Sequence, residues 1–83
     1  MSNNSQDIVS FILENVATLT KTDRSLLTAD THLGAVGVDS LNAVLLCGKL
    51  EDEYQLEIEP ITMFQYKTAN EVANAILKMM SNV

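Results

Sequence analysis

Ile8, Val9, Ile12, Leu13, Val16 and Leu19 recur at helical spacing, which predicts a first helix of about three turns with Asn4 or Ser5 as its cap. Phe11 falls off that stripe and is expected to rest under the connection that follows. From Thr20 to Asp39 no period is sustained, and the Thr, Asp and Gly content marks a long connection anchored by Leu26, Leu27, Leu33, Val36 and Val38. Connections of this length in a compact domain carry function or hide a short helical turn, and both are expected here. The next helix, Ser40 to Tyr54, starts sharply after Gly34 and Gly37, since glycine takes turn conformations closed to other residues. At about 100° per residue it carries two apolar faces: Ala43, Leu46, Cys47, Leu50 and Tyr54 on one side, and Leu41, Val44, Leu45 and Gly48 nearly opposite. One stripe suffices for a core. The second is either another buried contact or a surface reserved for partners. Gly48 costs on the order of 1 kcal/mol relative to alanine inside a helix, which close approach of another molecule would offset.

Leu56, Ile58 and Ile61 alternate with acidic residues, but this segment has no partner run and meets Pro60, so it reads as a loop. Pro60 suits the first position of a short helix whose inward contacts are Ile61, Met63 or Phe64, and Tyr66. Thr68-Ala69-Asn70-Glu71 is a capping box, and Val72, Ala73, Ile76, Leu77 and Met80 continue as the stripe of the last helix. The predicted architecture is all-α: a small four-helix bundle of three main helices and one short helix, with a long first loop. A single domain is expected over residues 1–83, with its core at about 6–80 and a polar tail at 1–5.

Eighty-three residues support one thin core, which disfavours a catalytic cleft walled on all sides. A net charge of −6 with only five Lys and Arg points away from nucleic acid and anionic membranes and toward basic protein partners. The single Cys47 has no partner for an internal disulfide and sits on the core stripe as a small hydrophobe. The polar start lacks a signal-peptide pattern and no apolar run reaches membrane-spanning length, so a cytoplasmic protein is expected.

Ser40 has two readings. At a helix start it is an N-cap; alternatively its hydroxyl stands where an attached phosphate is favoured by the helix dipole and by unpaired N–H groups. Asp39 beside it is a turn or cap residue, or a contact for a metal ion accompanying phosphate transfer. His32 could be assembled with both into a hydrolase, but nothing supplies a fixed base or an oxyanion hole beyond loop glycines. One His and one Cys on separate elements make no metal set, and none is expected. Glu51-Asp52-Glu53 is a solvated face or a docking site for a partner's Arg or Lys. Met63 is core or contact.

Asp30-Thr31-His32-Leu33, Gly37-Val38-Asp39-Ser40-Leu41 and Leu50-Glu51-Asp52-Glu53-Tyr54 together resemble the acyl carrier protein pattern D-x-x-L … G-x-D-S-L … L-E-x-x-[FY]. Phe64 to Thr68 is similar to the L-F-x-x-x-T that leads into the family's last helix, and the resemblance runs from about Ile8 to Leu77. It implies a four-helix bundle, not itself an enzyme, whose Ser40 receives 4′-phosphopantetheine from coenzyme A through a separate phosphopantetheinyl transferase, with Asp39 as a metal or transferase contact. The arm's thiol would then hold acyl, polyketide or aminoacyl cargo as a thioester. Partners implied are that transferase, an acyl- or aminoacyl-loading ligase and downstream synthase enzymes, docking on helix two, where the outer stripe Leu41, Val44, Leu45 and Gly48 agrees, with the carrier acting as a monomer; Glu51 and Asp52, by charge, and Met63 join the expected partner surface. Leu45 stands where fatty-acid carriers usually have an acidic residue, and Gly48 where they have a larger apolar one. Ser-Leu-Asn-Ala-Val-Leu-Leu is closer to polyketide and nonribosomal peptide carriers, whereas the Asp before the serine is more typical of acyl carriers. The mixture points to a free-standing carrier of a specialised pathway; the rival expectation is a plain helical interaction domain without a prosthetic group.

Overall fold

The computed structural model describes residues 4–81; the outermost residues of the expected polar tail lie outside them. Four α-helices follow in order: α1 (Ser5–Thr20), α2 (Ser40–Tyr54), α3 (Pro60–Gln65) and α4 (Ala69–Ser81), with 3₁₀ turns Arg24–Leu26 and Leu33–Val36 in the long first connection. No strand forms among the described residues, and the one ladder-like pairing is an isolated antiparallel bridge between His32 and Thr68. The four-helix bundle with one short member is therefore as the periodicities predict, and none of its helices is long and apolar enough to cross a membrane.

The caps show why the helices start where they do. Asn4, not Ser5, caps α1: its side chain accepts from the Asp7 N–H at 2.8 Å. Thr68 caps α4 by accepting from the Glu71 N–H at 3.2 Å, but Glu71 reaches one residue further back than a capping box requires and takes the Lys67 N–H at 2.7 Å. Lys21 and Gln55 end α1 and α2 in the left-handed conformation, their N–H groups closing onto carbonyls of the last turn.

The core joins all four helices. Ile8, Ile12 and Val16 of α1 meet Leu46 and Leu50 of α2 and Val72 and Ile76 of α4, all buried, while Leu27, Leu33 and Ile58 close it from the connections. α1 packs mainly on α4 and α2, and α3 packs on α2. The core stripe of α2 holds as expected, with Tyr54 only half-buried at its end.

Two packing expectations need correction, those for Leu26 and Ile61. Leu26 anchors nothing: it is 71 % exposed, because the 3₁₀ turn that holds it sends Leu27 inward instead. Phe11, off the core stripe, is half-buried and meets Tyr54 edge-to-face, ring centres 5.7 Å apart at 80°. On α3, a helix of six residues has one inward position per turn, and Met63 takes it. Of the two candidates Met63 and Phe64, Phe64 therefore faces out, and so, against expectation, does Ile61 (61 % exposed).

Candidate functional site

The first connection tightens before α2. Leu33–Val36 makes one 3₁₀ turn, Gly37 follows at φ 105°, where a side chain would be strained, and the Val38 N–H returns to the Leu33 carbonyl at 3.1 Å. This turn is fastened to the far end of the sequence: the Leu33 N–H donates to the Lys67 carbonyl at 2.9 Å, and the Asn70 N–H to the Ala29 carbonyl at 3.0 Å.

Asp39 is the N-cap of α2. Its side chain accepts from the Asn42 N–H at 2.8 Å, and its carbonyl takes the Ala43 N–H at 2.9 Å. Asn42 adds a bond from its side-chain amide to the Gly37 carbonyl at 3.1 Å, locking turn and helix together. The cap reading of Ser40 is thereby corrected, because the position one residue earlier already does that work. Ser40 is the first helical residue, it is exposed, and its hydroxyl has no hydrogen-bond partner among the described residues. As at any helix start, the N–H groups of the first two positions lack intrahelical acceptors, so the hydroxyl stands in a region of positive partial charge.

A cavity of about 380 Å³ opens beside it. Buried Leu33, Ala43, Leu46 and Met63 line its apolar part, and exposed His32, Asp39, Ser40, Phe64 and Lys67 line the rest. His32 makes no hydrogen bond to Ser40 among the described residues, and the Asp39 carboxylate is engaged by the helix N-terminus, so the three do not form a hydrogen-bonded relay. No group of acidic, His and Cys side chains that could hold a metal ion occurs among the described residues.

The outer stripe of α2 is a surface, not a second buried contact: Leu41 is 67 % exposed, Val44 and Leu45 are both exposed, and Gly48 is half-buried with open space where a Cβ would stand. Of the six large apolar side chains exposed among the described residues, five lie on α2 and α3. Two residues expected on this surface lie elsewhere. Met63 is buried beneath α2, since it fills the single inward position of α3. Glu51 is half-buried and accepts from the Ile58 N–H at 2.9 Å, whereas Asp52 is exposed. Sequence reasoning missed the exposed Ile61 and Phe64; the brevity of a Pro-initiated helix was the available signal. Burial, reinforced by Glu51, raises the pKa of the Cys47 thiol, which donates to the Ile58 carbonyl at 3.2 Å.

The family model described as "phosphopantetheine attachment site" matches residues 10–76. Among solved structures, a free-standing peptidyl carrier protein from an uncharacterized secondary metabolic pathway of Acinetobacter baumannii is 25% identical with a TM-score of 0.88, over 95% of this chain and 99% of that one. The HMG-ACPI domain of the CurA module from Lyngbya majuscula is 21% identical with a TM-score of 0.86, over 98% of this chain and 82% of that one, a likeness of fold. No curated protein matches. With most of its length inside that family match, the chain belongs to the phosphopantetheine attachment-site family, the carriers of biosynthetic pathways whose prosthetic group is covalently attached 4′-phosphopantetheine.

Proposed function

We propose that Ser40 is the attachment residue, and that residues 1–83 form one carrier domain that passes thioester-bound acyl, polyketide or aminoacyl intermediates between the enzymes of a specialised pathway. The observation that carries the assignment is the freedom of the Ser40 hydroxyl. It is exposed, unpartnered among the described residues and placed at the first turn of α2 by a cap that leaves it unused. The residues present suit a phosphodiester there. The helix end favours a negative charge, and the cavity alongside leaves room for the arm. When attached, 4′-phosphopantetheine supplies a thiol at the end of a flexible arm. The transfer forms a bond from Ser40 Oγ to the phosphorus of coenzyme A that bears the pantetheine; adenosine 3′,5′-bisphosphate leaves, and the hydroxyl proton passes to the transferase or to solvent. Asp39, beside Ser40, is positioned to meet the metal or the transferase, although part of its charge is spent on the cap.

The partners are a phosphopantetheinyl transferase, a loading ligase and downstream synthases. Leu41, Val44, Leu45 and Gly48, with Asp52 at the rim, form the docking stripe, extended by Ile61 and Phe64 on α3. Family membership leaves the plain interaction domain without support.

The test is the intact mass of the protein after incubation with coenzyme A, magnesium and a broad-specificity transferase. Wild type should gain one phosphopantetheine and Ser40→Ala none. A gain on Ser40→Ala, or no gain on folded, unmodified wild type under conditions that load a control carrier, would refute the assignment.

A further inference from the structure

One face of α2 grips the backbone of Ile58 by both its N–H and its carbonyl. The Ile58 N–H donates to Glu51 Oε2 at 2.9 Å, and the Ile58 carbonyl accepts from Cys47 Sγ at 3.2 Å. Four residues apart, Cys47 and Glu51 are stacked one turn above the other, so a single extended peptide can span both. Desolvation and the neighbouring Glu51 carboxylate keep the thiol protonated, which preserves its S–H as the donor.

Two residues after this clamp Pro60 opens α3, and α3 brings Met63 and Phe64 to the cavity that Ser40 lines. That helix does little to fix itself. It has six residues and no side-chain cap bond at Glu59, and Met63 is its only buried side chain. So short a helix has negligible stability of its own. Its position is therefore set from outside, by its packing on α2, by the fastening of Ile58 just before it and by the Leu33–Lys67 bond just after it. Glu51 also belongs to the acidic run Glu51-Asp52-Glu53, beside the exposed apolar stripe of the same helix, where a basic partner would dock. A partner's cation paired with that carboxylate draws on the same charge that holds the Ile58 N–H.

We propose that Cys47 and Glu51 are positioning residues whose two-sided hold on the Ile58 backbone fastens the leading end of α3 as a wall of the cavity beside Ser40, and that a basic side chain of a docking partner loosens this wall by competing for Glu51. The coupling is reciprocal: whatever holds the wall shut weakens capture of Glu51, and capture of Glu51 favours the open wall. The release step rests on the carrier reading; the clamp does not.

Amide hydrogen exchange on unmodified full-length protein tests it, with the Met63 methyl resonance as a report on the cavity wall. Loss of either bond, in Glu51→Ala or Cys47→Ala, should speed exchange at Ile58 and through α3 by roughly five- to tenfold and shift the Met63 methyl. Amides of α1 and α4 should stay slow. Glu51→Gln keeps an acceptor oxygen and should restore most of the protection, while Asp52→Ala should change nothing at Ile58. Added tetra-arginine should accelerate Ile58 exchange in wild type and leave Glu51→Ala unaffected. A uniform rise over all four helices, or unchanged exchange at Ile58, overturns the clamp. An equal response of wild type and Glu51→Ala to the peptide overturns the release. Because no arm is attached in these measurements, their failure is separate from failure of Ser40 to be loaded.

Discussion

Asp39 and Ser40 are both residue types that cap helices, and spacing alone does not say which of the two does so. The structure divides the work: Asp39 holds the first turn and Ser40 holds nothing. Two substitutions should therefore separate. Asp39→Ala should cost about 1 kcal/mol of stability through loss of the cap. Ser40→Ala should stay within about 0.5 kcal/mol, as for a surface change away from any such feature. Urea unfolding of both variants checks this, and a Ser40→Ala cost equal to that of Asp39→Ala would return Ser40 to a capping role. Gly48 gives a third result at this scale. An added Cβ meets nothing within 4 Å, so Gly48→Ala should stabilise the protein by about 0.5–1 kcal/mol, read as a higher urea midpoint. Internal packing does not demand this glycine; on the proposed docking stripe it keeps the face flat.

Among the elements, the long helices were legible because α1, α2 and α4 each repeat an apolar stripe over several turns, so one misplaced residue does not blur the period. The short elements were not. Arg24–Leu26 and Pro60–Gln65 offer a turn or two, within which neighbouring apolar residues such as Leu26 and Leu27, or Met63 and Phe64, compete for one inward position. The site divides in the same way. The outer stripe was readable as a face from position on a regular helix, though not its exposure; Ser40 was singled out by the resemblance of its flanking motif rather than by spacing, and the second employment of Glu51 depends on a loop path that no period encodes. The two faces of the α2–α3 pair can be told apart experimentally. Leu45→Glu should leave stability within about 0.5 kcal/mol and change turnover with partner enzymes, whereas Met63→Ala should cost about 2–5 kcal/mol as a core truncation. Comparable destabilisation by both would mean that the outer stripe is not a free surface.

For the whole molecule, burial of ionisable groups sets an alkaline limit. Cys47 and Tyr54 both have pKa values raised above their ordinary ones, chiefly by desolvation and then by nearby carboxylates, Glu51 for the thiol and Glu53 for the phenol. A raised folded-state pKa means that the native state binds the proton more tightly than the unfolded chain does. That stability is fully present below the unfolded value and is lost as pH rises through the folded one. Unfolding free energy should accordingly decline above about pH 9, where a free thiol and then a free phenol begin to ionise. Replacing Cys47 by Ala should flatten the early part of that decline, and an unchanged pH profile would show that the thiol contributes nothing to it. The turn that presents Ser40 also imposes an order in time. Its fastenings are the carbonyl of Lys67 and the N–H of Asn70, made long after the serine itself during synthesis, and α1 must wait for α4 to complete its packing. A growing chain that has passed Ser40 but not yet Asn70 carries the serine without the scaffold that displays it, so under the proposed attachment an enzyme that reads the folded surface must wait until α4 has left the ribosome.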